Sequence, residues 1–165
     1  MNSLLVVIMR LILQRVKWAR VVVDNKVAGE IEDGLMVLVG FCRGDVRMPG
    51  TRVWKMMQDK MLGLRIFPDH QGKLNLSLED IEAWVLLVPQ FTLYADCRKG
   101  RRPGFSDSAP YEEARHLFDS FAQDLKKRWP GVELGVFGAE MEVELNNFGP
   151  VTIILDSDDF QDKGH

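Results

Sequence analysis

The stretch RLILQRVKWARVVVDNKVAGEIEDGLMVLVGFC, residues 10–42, decides the fold. It holds four runs rich in Val, Ile and Leu, residues typical of buried strands, at 10–16, 19–23, 27–31 and 35–42. Asp24-Asn25-Lys26 and Glu32-Asp33-Gly34 separate the later runs, and Asp, Asn and Gly accept the backbone conformations of tight turns. The stretch therefore predicts an antiparallel β meander.

Beyond this stretch the apolar residues twice recur at helical spacing. A first helix is expected to begin at Pro49 and end at Gly63, since proline suits the first turn of a helix and glycine its end. A second is expected over Pro110–Arg128, where the apolar positions are Ala114, Leu117, Phe118, Phe121 and Leu125. Each helix has one apolar face, so both should pack against the sheet.

Further strands are predicted at Leu64–Phe67, Trp84–Val88, Val132–Phe137, Met141–Leu145 and Val151–Leu155. The chain shows no repeat, linker or change of composition that would separate two domains. The sequence thus predicts one α+β domain of mainly antiparallel, barrel-like β-sheet with two principal helices.

The composition is that of an ordinary globular domain. The 165 residues are 46% hydrophobic, which is too apolar for a disordered chain, and 21 Lys plus Arg against 24 Asp plus Glu give a net charge of −3. A protein coated with basic side chains for nucleic acid is excluded, so any RNA contact needs a local patch. Cys42 and Cys97 are too few for a disulfide scaffold or a four-ligand zinc site, and no metal or other cofactor is expected.

The two ends of the chain are expected to lie outside the domain. The apolar run at 4–13 is shorter than the ~20 residues of a membrane span and lacks the features of a signal peptide. We expect a domain at 9–156, an N-terminal extension at 1–8 and an acidic, frayed tail at 157–165. A cytoplasmic location is the simplest expectation.

Familiar catalytic motifs are missing from the sequence. It contains no Gly-rich phosphate loop, no His-Glu-x-x-His and no Gly-x-Ser-x-Gly. His70, His116 and His165 are expected on the surface, in a turn, on the second helix and in the tail. A His-dependent triad is not supported.

Two segments depart from a simple strand pattern. In Pro89-Gln90-Phe91-Thr92-Leu93, proline breaks the strand ladder, so the backbone N–H groups of Gln90, Phe91 and Thr92 could face a cavity and hold an ester carbonyl. A solvated edge strand is the alternative. Asn147-Phe148-Gly149-Pro150 is interpreted as a tight turn or as a place where bare carbonyls project.

A cationic loop follows the first of these segments. Arg98, Lys99, Arg101 and Arg102 are four cations within five residues, and phosphate binding is their obvious use. A solvated charged surface is the alternative. Cys97 beside these cations is a weaker candidate for a nucleophile.

These segments together resemble the D-aminoacyl-tRNA deacylase family. The matching blocks are collinear over Met9 to about Asp156: they are Leu13–Val16, Leu64–Phe67, Gln90–Leu93, Arg102–Phe105, Phe137–Ala139 and Asn147–Thr152. The resemblance implies a cytoplasmic homodimer that hydrolyses the ester between a D-amino acid, or mischarged glycine, and the 3′ adenosine of tRNA. Its expected partners are the 3′ end of aminoacyl-tRNA and a second copy of the chain, with no DNA and no membrane.

The resemblance also implies roles for individual residues. Gln90, Phe91 and Thr92 form the catalytic floor, and the substrate's own 2′-hydroxyl assists the reaction. Gly149-Pro150, joined by a cis bond and accompanied by Asn147, enters the partner's pocket and excludes an L side chain. Arg15 supports that motif, Phe137 lies near the adenine, and the cations at 98–102 bind tRNA phosphates.

One departure from the family pattern concerns the residue before Gln90. The commonest pattern has Ser there, where this chain has Pro89. A deacylase with relaxed chirality therefore stays open as a second interpretation. A non-catalytic RNA-binding module that uses the loop at 98–102 and a small-ester hydrolase that uses Cys97 stay open as well.

Overall fold

A computed structural model describes residues 9–44 and 47–161 of the chain. The strands are β1 Met9–Val23, β2 Lys26–Ile31, β3 Gly34–Phe41, β4 Phe67–Pro68, β5 Leu74–Leu76, β6 Trp84–Pro89, β7 Val132–Leu134 and β8 Glu142–Asp156. The helices are α1 Arg52–Gly63 and α2 Tyr111–Arg128, with short 3-10 helices at Phe91–Tyr94 and Ser157–Phe160. The predicted α+β class with two principal helices is confirmed.

The long strand β1 organises the sheet. It pairs antiparallel with β3 over Met9–Val16 and with β2 over Ala19–Val23, while β8 pairs with both halves. The two strands predicted at 10–16 and 19–23 are therefore one strand. The predicted meander is wrong, because β2 and β3 each pair with β1 rather than with each other. A strand of this length has room for two successive partners on one edge.

The sheet is mixed. Its order is β2-β1-β3-β6-β7, with β8 on the other edge of β1, and β6 pairs parallel with both β3 and β7. The parallel pairs arise because α1 and α2 provide the crossovers that parallel strands require. The remaining strand pairs are antiparallel, so the barrel-like, mainly antiparallel prediction holds.

Both helices cover the sheet with their apolar faces. The α2 residues Leu117, Phe121 and Leu125 are fully buried in the main core, and Trp54 of α1 packs edge-on against Phe121 at 5.2 Å between ring centroids. Helix α1 begins later than predicted because Thr51, not Pro49, caps it, accepting a hydrogen bond from the backbone N–H of Trp54. A smaller apolar cluster lies apart from the main core and includes Val16, Met36 and Leu86.

The C-terminal part of the chain differs from the sequence prediction in two ways. The strands expected at 141–145 and 151–155 form the single strand β8, so the tight turn predicted at Asn147–Pro150 is wrong. The expected frayed tail is also wrong for Ser157–Phe160, a 3-10 helix in which the buried Ser157 hydroxyl accepts a 2.6 Å hydrogen bond from the Met9 backbone N–H. The extension at 1–8 and the tail at 162–165 lie outside the described residues.

The remaining differences are short. Strand β4 covers Phe67–Pro68 where Leu64–Phe67 was predicted, β5 was not predicted, and β7 ends at Leu134 rather than at Phe137. Within the described ranges, no helix combines the length and the apolar character needed to cross a membrane.

Candidate active site

The segment after β6 presents two backbone donors. The Gln90 backbone N–H donates to the carbonyl oxygen of Val39 at 2.8 Å and so continues the pairing of the sheet. The prediction that this N–H group faces a cavity is therefore wrong. The chain then turns into the 3-10 helix Phe91–Tyr94, whose first N–H groups lack intrahelical acceptors. Among the described residues, nothing accepts a hydrogen bond from the N–H groups of Phe91 and Thr92.

A cavity of about 540 Å³ lies beside this segment. This volume is within the ~300–1,000 Å³ range of small-molecule sites. Pro89, Gln90 and Phe91 line one side, and Tyr111, Phe137 and Gly138 line another. The Tyr111 and Phe137 rings meet edge-on with their centroids 5.2 Å apart, which gives this side of the cavity an aromatic wall.

The cavity wall holds no side chain suited to strong acid–base catalysis. Tyr111 is the one titratable residue among those that line it. The Gln90 side-chain amide donates to the Thr92 hydroxyl, which orients both polar groups. In the described parts of the chain, no cluster of His, Cys, Asp or Glu is arranged to hold a metal ion. Cys97 is a free, exposed thiol and does not line the cavity.

A bulge in β8 carries the second predicted site segment. Phe148, Gly149 and Pro150 are exposed, the Gly149-Pro150 bond is cis, and Gly149 has a φ of 126°. The pairing of β1 with β8 shifts register here, between Gln14 and Val16. Gly149 is required because a left-handed backbone disfavours any residue with a Cβ.

Two side chains hold this bulge in shape. Arg15 is buried and donates from Nε to the Phe148 carbonyl at 3.0 Å and from Nη1 to the Ile66 carbonyl at 2.8 Å. The Asn147 side-chain oxygen accepts from the Val151 N–H at 3.2 Å, and its amide nitrogen donates to the Thr152 hydroxyl at 3.1 Å. Both polar atoms of the Asn147 side chain are thus occupied inside β8.

Within a single copy of the protein, the segment after β6 and the bulge in β8 lie apart. Val39, which binds Gln90, pairs with Leu11 of β1, whereas the bulge lies beside Arg15. These β1 positions are four residues apart, or ~13 Å at the ~3.3 Å rise of a strand residue. Neither Gly149 nor Pro150 lines the cavity beside Phe91.

The cationic loop is closed by a short bridge. Asp96 and Gly104 exchange backbone hydrogen bonds of 2.7 and 2.9 Å. The Arg98 guanidinium makes two 2.8 Å hydrogen bonds to the Asp96 carboxylate. These bonds and the Arg98 backbone N–H hold the pKa of Asp96 down at about 2. The charge of Arg98 is therefore offset by Asp96, although its side chain is 82% exposed.

The other three cations of the loop point outward. Lys99, Arg101 and Arg102 are exposed, and no described residue forms a hydrogen bond or ion pair with their side chains. The sequence assigns no role to Tyr111, which lines the cavity, or to Phe105, which appears only at the end of the matching block Arg102–Phe105. Both are visible in the sequence as aromatic residues, but nothing distinguishes them there from other surface aromatic residues.

The fold and the cavity define a single-domain α+β protein with a candidate site lined mainly by apolar residues, Phe91, Tyr111 and Phe137 among them. The chain belongs to the D-Tyr-tRNA(Tyr) deacylase family, whose model matches residues 12–156. The resemblance seen in the sequence is confirmed.

Curated relatives and solved structures agree with this assignment. The D-aminoacyl-tRNA deacylase of Solidesulfovibrio magneticus is 51% identical, covering 92% of this chain and 97% of its own length. That of Thermosipho africanus is 50% identical, covering 90% and 97%. A solved structure titled c-Myc DNA unwinding element binding protein has a TM-score of 0.81 at 36% identity, covering 88% of this chain and 97% of its own. A probable eukaryotic D-amino acid tRNA deacylase shares the fold at 22% identity, with a TM-score of 0.77 and coverage of 90% and 99%.

Proposed function

We propose that this protein hydrolyses the ester bond that joins a D-amino acid, or mischarged glycine, to the 3′ adenosine of tRNA, and so proofreads chirality. The observation that carries the proposal is a pair of unpaired backbone N–H groups, that of Phe91, which lines a cavity without a carboxylate or histidine, and that of the next residue, Thr92, which does not line it. Backbone donors bind atoms common to all aminoacyl esters, which suits an enzyme that accepts many side chains. Its location would be the cytoplasm, where aminoacyl-tRNA is used.

The reaction needs stabilisation of negative charge more than a protein base. The Phe91 and Thr92 N–H groups would donate to the ester carbonyl oxygen and to the oxyanion that forms when water attacks the carbonyl carbon. The bond from that carbon to the 3′ oxygen then breaks, and the water's proton reaches the 3′ oxygen through the neighbouring 2′-hydroxyl of the substrate. Gln90 and Thr92 fix the shape of this floor through their mutual hydrogen bond.

Chirality would be read by a second copy of the chain. The bulge at 148–150 is exposed and lies apart from its own cavity, which supports a homodimer in which each bulge enters the partner's cavity. The carbonyls of Gly149 and Pro150 would bind the substrate amino group. An L side chain would meet Gly149-Pro150, whereas a D side chain would point to solvent, and a steric clash is an effective way to reject a substrate.

The exposed cations would anchor the tRNA. Lys99, Arg101 and Arg102 are available for phosphates, whereas Arg98 is bound to Asp96. Phosphate contacts confer affinity without reading the sequence. Phe137 on the aromatic wall would lie against the terminal adenine.

Hydrolysis of three substrates tests the proposal. D-Tyr-tRNA, L-Tyr-tRNA and Gly-tRNA are each incubated with the protein, and the free amino acid released is measured. Release of D-Tyr and Gly but not L-Tyr is expected. Comparable release of L-Tyr would favour the relaxed chirality that Pro89 suggests, and binding without turnover would favour a non-catalytic RNA-binding module. Sedimentation equilibrium tests the dimer, and an active monomer would contradict the two-chain site.

A further inference from the structure

An exposed aromatic pair lies at the rim of the cavity. Phe91 is 55% exposed and Phe105 is 41% exposed, and their ring centroids are 5.2 Å apart at an interplanar angle of 59°. Phe91 lines the cavity, whereas Phe105 does not. The pair therefore extends an apolar surface from the cavity outward.

Hydrogen bonds fix the backbone next to both rings. The Ser108 hydroxyl donates to the Phe91 carbonyl at 3.0 Å and so ties the two segments together. On the other side of Phe105, Gly104 is fixed by its backbone bridge to Asp96. Large apolar side chains that stay exposed on a fixed backbone are candidates for binding.

The surroundings of the pair favour a polyanionic ligand. Phe105 directly follows the loop that carries the exposed Lys99, Arg101 and Arg102. Single-stranded nucleic acids are bound by this combination, in which cations follow the backbone and aromatic rings stack on the bases. A purely apolar protein partner would not need these cations.

We propose that the Phe91–Phe105 pair is a stacking site for the unpaired nucleobase that precedes the terminal adenosine of the substrate. The inference rests on the proposed function, which places the aminoacyl adenosine in the cavity. A strand that leaves the cavity toward the cationic loop passes Phe105, the outer ring of the pair. The site recognises a base by its aromatic face and accepts any of the four bases.

Two small substrates isolate this contact. One is the D-tyrosyl ester of adenosine, and the other is the D-tyrosyl ester of a dinucleotide that ends in adenosine. The wild-type protein should show a lower KM for the dinucleotide ester. Phe105→Ala should raise that KM about tenfold, within the range expected for one stacked base, and should leave kcat and the KM for the adenosine ester unchanged. Phe105→Trp should preserve the preference.

Control variants keep the result interpretable. Phe105→Leu retains apolar volume but not a stacking face, so it should behave like Phe105→Ala with an unchanged melting temperature. Trp84→Ala is the matched control, because Trp84 is 43% exposed at the opposite end of β6. It should leave the dinucleotide preference intact.

The two ways of failing are distinct. If neither ester is hydrolysed, the proposed function fails. If both are hydrolysed and Phe105→Ala leaves the dinucleotide preference unchanged, or raises both KM values equally, the stacking site is wrong while the deacylase function stands.

Discussion

The Nε of Arg15 donates a 3.0 Å hydrogen bond to the carbonyl oxygen of Phe148, the residue that precedes Gly149-Pro150. The same guanidinium also bonds to Ile66, and its carbon lies 5.0 Å from the centroid of the Phe148 ring. The buried Arg15 side chain therefore contacts both the backbone and the aromatic ring of Phe148. The position of the bulge depends on β1 as much as on β8.

Replacing Arg15 should loosen the bulge. Arg15→Lys keeps the charge but loses the planar fork, so the Phe148 or Ile66 carbonyl loses its donor. We expect a loss of about 1–3 kcal/mol in the free energy of unfolding and a smaller ratio of D-Tyr-tRNA to L-Tyr-tRNA hydrolysis. Urea denaturation and initial rates measure the two effects.

The control is Arg20→Lys. In the wild-type protein the guanidinium of Arg20 pairs with the half-exposed Glu144 at 2.7 Å. The substitution should cost less than about 1 kcal/mol and leave the substrate ratio unchanged. An unchanged ratio in Arg15→Lys would contradict a positioning role for Arg15.

Gly149→Ala should inactivate the enzyme. A Cβ at Gly149 would lie 2.8 Å from Nη2 of Arg15 and 3.0 Å from Cγ2 of Val151, on a backbone with φ of 126°. Either the bulge or the guanidinium that holds it must then shift, and a displacement of this kind costs about 100-fold in kcat/KM. Steady-state kinetics on D-Tyr-tRNA measure the loss.

Gly72→Ala serves as the comparison, because Gly72 also has a positive φ, of 77°, but has open space around it. It tests backbone strain without a collision, and kcat/KM should stay near the wild-type value. Full activity in Gly149→Ala would count against a bulge that reads chirality.

Thr92 should matter more for its backbone than for its hydroxyl. Thr92→Ala removes the acceptor of the Gln90 side chain and should lower kcat by less than about tenfold, since the backbone donors remain. Thr92→Pro removes the N–H at the second position of the 3-10 helix, also restricts the backbone of Phe91 before it, and should lower kcat about 100-fold or more. Single-turnover rates separate this loss from binding. Both variants lack the hydroxyl, so a loss in Thr92→Ala as large as that in Thr92→Pro would support a hydroxyl nucleophile.

Removing two exposed cations should weaken tRNA binding and its dependence on salt. Arg101→Gln together with Arg102→Gln should raise KM and reduce the slope of log KM against log salt by about 1.4, at ~0.7 per phosphate contact of a single strand. Arg98→Gln is the matched control, because Arg98 is bound to Asp96 and should change the slope far less. An unchanged slope in the double variant would remove the phosphate role of these two residues.

Acid should release the bond between Asp96 and Arg98. The pKa of Asp96 is about 2 in the folded protein, against an ordinary value of 3.8. The ionised Asp96 therefore contributes fully to stability above pH 3.8, and this contribution is lost as the pH falls toward 2. The loop should therefore stay intact at neutral pH. NMR titration of the Asp96 carboxyl carbon checks this, and a midpoint near 3.8 would show that the ion pair does not form in solution.

The sequence predicted what depends on local pattern and missed what depends on distant pairing. The helical spacing of Leu117, Phe121 and Leu125 gave α2 to within one residue. The Asn147–Pro150 segment favours a tight turn or projecting carbonyls, since Asn, Gly and Pro are typical of turns. Its continuation as β8 depends on pairing with β1, more than 100 residues away in sequence.

The candidate site shows the same division. Gln90, Phe91 and Phe137 could be selected from the resemblance, and they do line one cavity. The bond from the Gln90 N–H to Val39 could not be foreseen, since nothing in either segment marks the other as its partner. Arg98 carried the same signal as Arg101, and only the geometry of Asp96 separates the two.

In the proposed dimer, the carbonyls of Gly149 and Pro150 would face the substrate, and main-chain carbonyls are the same whichever amino acids supply them. Exchanging one side chain for another cannot give this surface a new preference, in the way that it can reshape a pocket lined by side chains. If the bulge reads chirality as proposed, a lineage that shifts its choice of mirror image through this surface has to alter the path of the chain, at the bulge itself or at the arginine beneath it.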